Sequence, residues 1–355
     1  MSKKTVALLY GGISPEHEVS IVSARSVFES IDSARYHVIP IAIDRQGRWW
    51  LGESTAAPDP SAFPSEYGVT LLPGGRGQAL AFHTVTGETK ELHFDIALPV
   101  LHGQGGEDGS IQGLLETARI PYVGSGVLAS AACMDKQVTK GLLRDAGVPV
   151  TPFLSLTRTE TPQLSDLKRA LGGETFFVKP ARLGSSIGIS KVATESELAN
   201  ALALAFDQDE KVIIETMVVG REIECGVLQR GFDDLLATWP SEISLTSDNH
   251  AFYTYDAKYN DPGAVRLDIR ANIDAACAER VQYLSLRAFR VLGCEGMARV
   301  DFFLKDNGDL LVNEVNTIPG FTSHSMYPKM IEAAGITYTA LLDVLMQQAV
   351  ARHAQ

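Results

Sequence analysis

The sequence predicts a protein of α/β and α+β class: a parallel sheet covered by helices, followed by two smaller mixed units. Three observations carry that expectation. Over roughly the first 120 residues, near-continuous apolar strands alternate with helical patterns, as in a parallel sheet buried on both faces. Further on, the order changes to strand, glycine-containing loop, strand, helix, strand, beginning at TFFVKP. Finally, RVDFFLKDNGDLLVNEVN, residues 299–316, reads as a β-hairpin turning at Asn307-Gly308. At 355 residues the chain exceeds a single core, so two or three domains are expected.

The elements follow in order. TVALLY is a strand, EHEVSIVSARSVFESI a helix, and YHVIPIAI and FDIALPVLHG are further strands. Between them, residues 52–77 are rich in Pro, Gly and Ser and read as a surface excursion. GVLASAACMDKQVTKGLLRDAG reads as one long amphipathic helix bridging the first domain to the second. Helices are expected at 195–206, 273–292, 325–334 and 338–351. LTSDNHAFYTYDAKYNDPGA has four aromatics and no clear period, which favours a lid over a disordered linker.

Composition narrows the function. Hydrophobic residues make up 45% and charged residues 21%, with a formal net charge of −12, so indiscriminate binding to nucleic acid or an anionic membrane is not expected. No apolar run approaches the roughly 18 residues of a membrane span. MSKKTVALLYGG reads as a first core strand rather than a signal peptide. Cys133, Cys225, Cys277 and Cys294 form no CxxC pair and read as reduced, buried thiols of a cytoplasmic protein.

Several stretches can carry chemistry. In the hairpin, a two-residue loop at Asn307-Gly308 pairs Asp306 with Asp309, and hence Asp301 with Glu314 and Arg299 with Asn316. Those four side chains share one face. Opposed carboxylates destabilise a sheet by up to about 1 kcal/mol, so something positive belongs there: Arg299 or a divalent cation. VKPARLGSSIG places Lys179 beside a loop whose backbone N–H groups suit phosphate; it lacks the GxxxxGK[ST] spacing, and an ordinary hairpin loop is the plain alternative. GSGVLA matches G-x-G-x-x-A but sits late in the first sheet, where a tight strand-to-helix turn accounts for it. Glu16, in GGISPEHEVS, and His102, in HGQGGEDGSIQG, fall near the carboxyl edge of a parallel sheet, where ligands bind; helix capping is the alternative for Glu16.

Taken together, GGISPEHEVS, HGQGGEDGSIQG, ACMDKQVTK, VKPARLGSSIG, GREIECGVL, YDAKYND, GMARVDFF and NEVNTIPGFTSHSMYP resemble the D-alanine–D-alanine ligases of the ATP-grasp superfamily, in family order over nearly the whole chain. The resemblance implies a Rossmann-like N-terminal domain over 1–138 and a two-part ATP-grasp fold over 139–220 and 221–355, with a lid at 244–263. It implies ATP-dependent joining of two D-alanines through a D-alanyl phosphate, for peptidoglycan precursor synthesis. Asp301, Glu314 and Asn316 would hold two Mg²⁺, with Mn²⁺ as a substitute and K⁺ as an activator. For ATP, the residues would be Lys136, Lys179, Ser185, Ser186, Glu215, Glu222 and Lys258. Glu16 would take the ammonium of the first D-alanine, with His102 nearby, while Glu16, Ser185 and Tyr259 would form a hydrogen-bonded triad reaching the lid. Lys258 and Ser325 would hold the second D-alanine, Met326 walling its site. Arg299 and the Gly320 N–H would stabilise the oxyanion, so that Arg299 points at substrate rather than at the acids. A homodimer, with no nucleic-acid or membrane partner, is the family expectation.

Tyr259 favours D-alanine over D-lactate or D-serine as acceptor, since ester-forming members replace that lid tyrosine. A different ATP-grasp ligase should lack the Glu16 region and the AKYND stretch. An NAD-dependent oxidoreductase built on GSGVLA leaves the acidic hairpin unexplained, and a non-catalytic nucleotide-binding protein leaves the metal ligands unexplained.

Overall fold

A computed structural model describes residues 3–59, 66–185, 187–245 and 265–354. The expected strands and helices of the first unit form as β1 (Lys4–Gly11), α1 (His17–Ser30), β2 (Tyr36–Ile43), β3 (Trp49–Leu51), β4 (Tyr67–Leu71), β5 (Gln78–His83), β6 (Thr89–His93), β7 (Ile96–Val100) and α2 (Ser110–Ala118). Their seven-stranded sheet runs β6-β5-β4-β3-β2-β1-β7. Only β1, β2 and β7 are parallel; β3 to β6 extend the sheet antiparallel. The expected parallel arrangement is thus three strands wide, with a four-stranded antiparallel extension on one side. The segment read as a surface excursion contains β4, whose Val69 is a core residue.

The bridge read as one helix is two, α3 (Val127–Met134) and α4 (Lys136–Asp145). Asp135 breaks it: its backbone is extended and its carboxylate accepts from the N–H groups of Gln137 and Val138, an N-cap that restarts the helix. The second sheet holds β8 (Phe153–Thr157), β9 (Phe176–Pro180), β10 (Ser190–Val192) and β11 (Lys211–Thr216) in the order β10-β9-β11-β8. It is backed by α5 (Leu164–Leu171) and by α6 (Glu195–Gln208), which opens with a Thr194/Glu197 capping box.

The third sheet is built from β12 (Arg221–Gln229), β13 (Leu235–Ala237), β14 (Ser241–Leu245), β15 (Val265–Asp268), β16 (Met297–Leu304) and β17 (Leu310–Asn316), with α7 (Ala275–Val291) packed on it. The chain then forms α8 (Met326–Ala333) and α9 (Tyr338–His353). Leu341, Leu345 and Ala349 of α9 share one core with Val6 and Leu8 of β1 and Ile96 of β7. The last helix therefore returns to cover the first sheet. Of the lid stretch, only residues 244 and 245 are described.

All four cysteines are free; Cys277 is only partly buried, and the Cys133 and Cys294 sulfurs lie 3.7 Å apart. Among the described residues no helix is long and apolar enough to cross a membrane.

Candidate active site

The acidic hairpin forms, but by a different route from the one its turn suggests. Lys305 N–H donates to Asp309 O at 2.9 Å and Gly308 N–H to Lys305 O at 2.9 Å, so the loop has three residues. Gly308, at φ 84°, supplies the left-handed position such a loop needs. Phe302 consequently pairs with Val312, one residue out of the expected register. A bulge between Asp301 and Phe302 then absorbs Asn313 and restores Asp301 opposite Glu314 and Arg299 opposite Asn316.

The positive group at Asp301 is Arg299. Its Nη2 is 2.6 Å from Asp301 Oδ2 and its Nε 2.7 Å from Oδ1, a two-pronged contact, and Nε also lies 3.1 Å from Glu224 Oε1. Asn316 Nδ2 donates to Asp301 Oδ2 at 3.0 Å. Burial works against the Arg299 charge, but Asp301, Glu224 and Glu314 outweigh it and hold the guanidinium's pKa well above its ordinary value. The expectation that Arg299 leaves the acids alone is thus corrected: Asp301 and Glu224 hold its guanidinium. Two opposed carboxylates and an amide oxygen suit a hard cation. Among the described residues no group of three or more His, Cys, Asp or Glu side chains is placed to hold a metal ion, so a hard cation here would need further oxygen ligands from a bound substrate.

Two cavities meet at this cluster, sharing Gly184, Ser185, Glu224, Arg299 and Glu314. One, of about 330 Å³, is lined by Lys136, Lys179, Glu215, Met217, Glu222 and Phe303. The other, of about 490 Å³, is lined by Glu16, His102, Glu107, Gly320, Ser325 and Met326. Both volumes suit small-molecule sites.

In the first cavity, Lys179 Nζ is 2.7 Å from Glu215 Oε2, and the buried Lys140 Nζ is 3.0 Å from Oε1. Burial raises the Glu215 pKa, yet Lys140 and Lys179 together hold it at about 2. Lys136 Nζ donates to Leu183 O in the glycine-containing loop.

In the second cavity, Glu16 occupies the N-cap position of α1 without making a side-chain cap. Instead it accepts from Ser185 Oγ, joining the first sheet to the loop of the second. Ser185 holds a left-handed backbone, φ 53°, to do so. Gly103, at φ 70°, lets Glu16 in: a Cβ there would lie 2.8 Å from Glu16 Oε2. His102 Nδ1 lies 3.1 Å from Ile318 O and Nε2 3.2 Å from Ser23 Oγ. Because a carbonyl only accepts, Nδ1 carries the proton. Burial lowers the His102 pKa, with Glu16 opposing. Glu107 accepts from Gly103 N–H at 2.8 Å and from Ile318 N–H at 3.1 Å. The 102–107 loop thus grips both polar groups of Ile318 and fixes the approach to Gly320. Ser325 Oγ lies 2.8 Å from Thr322 Oγ1, and Met326 is buried beside it.

Of the expected site residues, Lys258, Tyr259 and Ser186 lie outside the described residues. The others all line one or both of these cavities, Asp301 in the first and Asn316 in the second. Sequence reasoning missed three ionisable groups. Lys140 stands four residues after Lys136, on the same helix face. Glu224 stands two residues after Glu222, on the same strand face. Glu107 is an acid inside a glycine-rich loop.

Glu107 yields a pH prediction. Desolvation, with Glu16 nearby, pushes its carboxyl from 4.5 up to about 8. Between those values the folded chain holds a proton that the unfolded chain has lost, so stability falls as pH rises from about 5 to about 8. Glu107→Gln should flatten that fall, as measured by urea denaturation across this range. An equally steep fall in the variant would assign the effect elsewhere.

The comparisons agree with this geometry. A family model described as "D-ala D-ala ligase N-terminus" matches residues 5–125, and one described as "D-ala D-ala ligase C-terminus" matches 142–347. D-alanine–D-alanine ligase A of Mesorhizobium japonicum is 49% identical, covering 99% of each chain. Ligase A of Escherichia coli K12 is 44% identical, covering 100% of this chain and 98% of its own. Among solved structures, the D-alanine–D-alanine ligase of Coxiella burnetii superposes with a TM-score of 0.87 at 34% identity, covering 100% of this chain and 96% of its own. The VanG D-Ala:D-Ser ligase of Enterococcus faecalis superposes at 0.86 and 36% identity, covering 98% and 100%. This chain belongs to the D-alanine–D-alanine ligase family.

Proposed function

We propose that the protein joins two D-alanine molecules to D-alanyl-D-alanine at the expense of ATP, supplying a peptidoglycan precursor. The observation that carries this reading is the meeting of a lysine-lined cavity and a Glu16/His102-lined cavity at one Arg299–Glu314 junction. ATP would lie in the first, its phosphates toward Lys136 and Lys179. The first D-alanine would lie in the second, its ammonium on Glu16. Its carboxylate oxygen attacks the γ-phosphorus, the bond to the β-phosphate oxygen breaks, and ADP leaves an acyl phosphate. The amine of the second D-alanine, held by Ser325 and Lys258, then attacks the acyl carbon, and inorganic phosphate departs as the amine loses its proton.

Arg299 and the Gly320 N–H would face the oxyanion of that second step. Donors fixed in advance are the largest common source of such stabilisation. Mg²⁺ held by Asp301, Glu314 and Asn316 would supply charge neutralisation for the phosphates. The Ser185–Glu16 contact, continued by Tyr259, would close the 244–263 lid and keep water from the acyl phosphate. The same reading divides the chain at 138 and 220, and the family resemblance adds a cytoplasmic homodimer, Mn²⁺ as a substitute metal and K⁺ activation.

The likeness to VanG favours one second reading, a D-serine acceptor. ADP release with D-alanine alone, D-alanine plus D-serine, D-alanine plus D-lactate, and L-alanine separates the two, with the product identified by mass. D-alanyl-D-alanine from D-alanine alone is the expected result. A product only with D-serine would move the acceptor, and ADP release with none of them would overturn the reading.

A further inference from the structure

Beneath the pair formed by Lys179 and Glu215 lies a third charge. Lys140 is 1% exposed and Glu215 2%, against 10% for Lys179. Each oxygen of one carboxylate faces a different ammonium, at 3.0 Å and 2.7 Å. Lys179 and Glu215 line the cavity and Lys140 does not. A bound nucleotide therefore has no contact with Lys140, and its effect must pass through Glu215.

The arrangement solves a specific problem. Lys179 is held on Glu215, and any turn of its ammonium toward a phosphate loosens that contact. A buried carboxylate stripped of its partner is strongly destabilising. With one lysine and one glutamate the pair would be closed, and nucleotide would have to break it. With a second lysine 3.0 Å from its other oxygen, Glu215 keeps one partner whichever way Lys179 turns.

We propose that Lys140 is a positioning residue for the nucleotide, a buried counter-charge that keeps Glu215 paired while Lys179 turns to the phosphates. The inference rests on the ATP-dependent reading above and names a residue that reading does not use. It predicts that Lys140 matters to nucleotide only while Glu215 is charged.

The test is a cycle on the full chain: wild type, Lys140→Met, Glu215→Gln and the double variant. ADP binding with Mg²⁺ is followed by calorimetry, and KM is measured for ATP and for D-alanine. Lys140→Met should weaken ADP binding and raise the KM for ATP by roughly tenfold or more, the scale of one charge-assisted bond. The KM for D-alanine should stay within about twofold of wild type. In the Glu215→Gln background, adding Lys140→Met should change ADP affinity by less than about twofold. That second arm decides the matter even where Lys140→Met alone fails to fold, because the double variant removes both buried charges. Equal weakening in both backgrounds, or a uniform fall in all parameters, would overturn the inference. Wild-type protein that neither binds ADP nor turns over ATP with D-alanine would instead overturn the functional reading.

Discussion

Replacing Arg299 by methionine is expected to slow turnover roughly thousandfold and to lower stability by about 3 kcal/mol. The two losses have different origins. Arg299 lies between Asp301 and Glu224, with Glu314 close enough to add to its charge. Methionine fills the space of the side chain but leaves these carboxylates facing one another in a largely buried site. Removing one partner of a buried pair costs more than the pair contributes, because the remaining charge is uncompensated. Turnover falls because the same guanidinium is the proposed donor to the oxyanion. Arg299→Lys separates the effects: it keeps a charge near the acids but cannot make the planar two-pronged contact. It should recover much of the stability and little of the rate. Urea denaturation and ADP release on both variants check this. A methionine variant within about 1 kcal/mol of wild type would show that the acids do not depend on Arg299.

The acidic face was legible from the sequence, although the path to it was not. Asn307-Gly308 announces a hairpin, but it does not say whether the loop holds two residues or three. The three-residue loop moves the register by one, and Asn313, in a bulge, moves it back. Asp301 and Glu314 end up opposed because two unread irregularities cancel. A bulge is set by how side chains pack across the sheet, here Val312 and Val315 both reaching the core with Asn313 and Glu314 between them. Nothing in the pattern of 310–316 read alone marks it.

Other features depended on distant contacts. Asp135 divides α3 from α4 because its carboxylate caps the second helix and also meets Lys211 from β11. In MDKQVTK, the periodicity runs straight through it. The antiparallel strands β3 to β6 extend a parallel start, and short strands such as Trp49–Leu51 carry too few residues to show a period. That α9 returns to cover the first sheet is decided by Leu341, Leu345 and Ala349 meeting β1 and β7 across more than 240 residues. Lys140 and Glu224 became visible only when the fold placed each beside its counter-charge, Glu215 and Arg299, and Glu107 only when it met the Ile318 N–H. Such partners lie far away in sequence.

Glu314→Gln should behave in the opposite way to the arginine variant: it should fold normally and lose roughly thousandfold in rate, the equivalent of several kcal/mol of charge stabilisation at a metal. Glutamine keeps the shape of the side chain and removes a charge that stands directly across the strand pair from Asp301. Relief of that opposition is worth up to about 1 kcal/mol, while Arg299 retains Asp301 and Glu224 as partners. Stability without metal should therefore hold level or rise slightly. Turnover should fall because an amide brings no negative charge to a cation, so the Mg²⁺ concentration for half-maximal rate should rise as well. Thermal unfolding in a chelator, set beside ADP release across a Mg²⁺ titration, reads both. Full activity at ordinary Mg²⁺ would remove Glu314 from the metal site. A marked loss of stability would mean that its charge holds the fold, and that the opposed acids are tolerated for structure rather than for a cation.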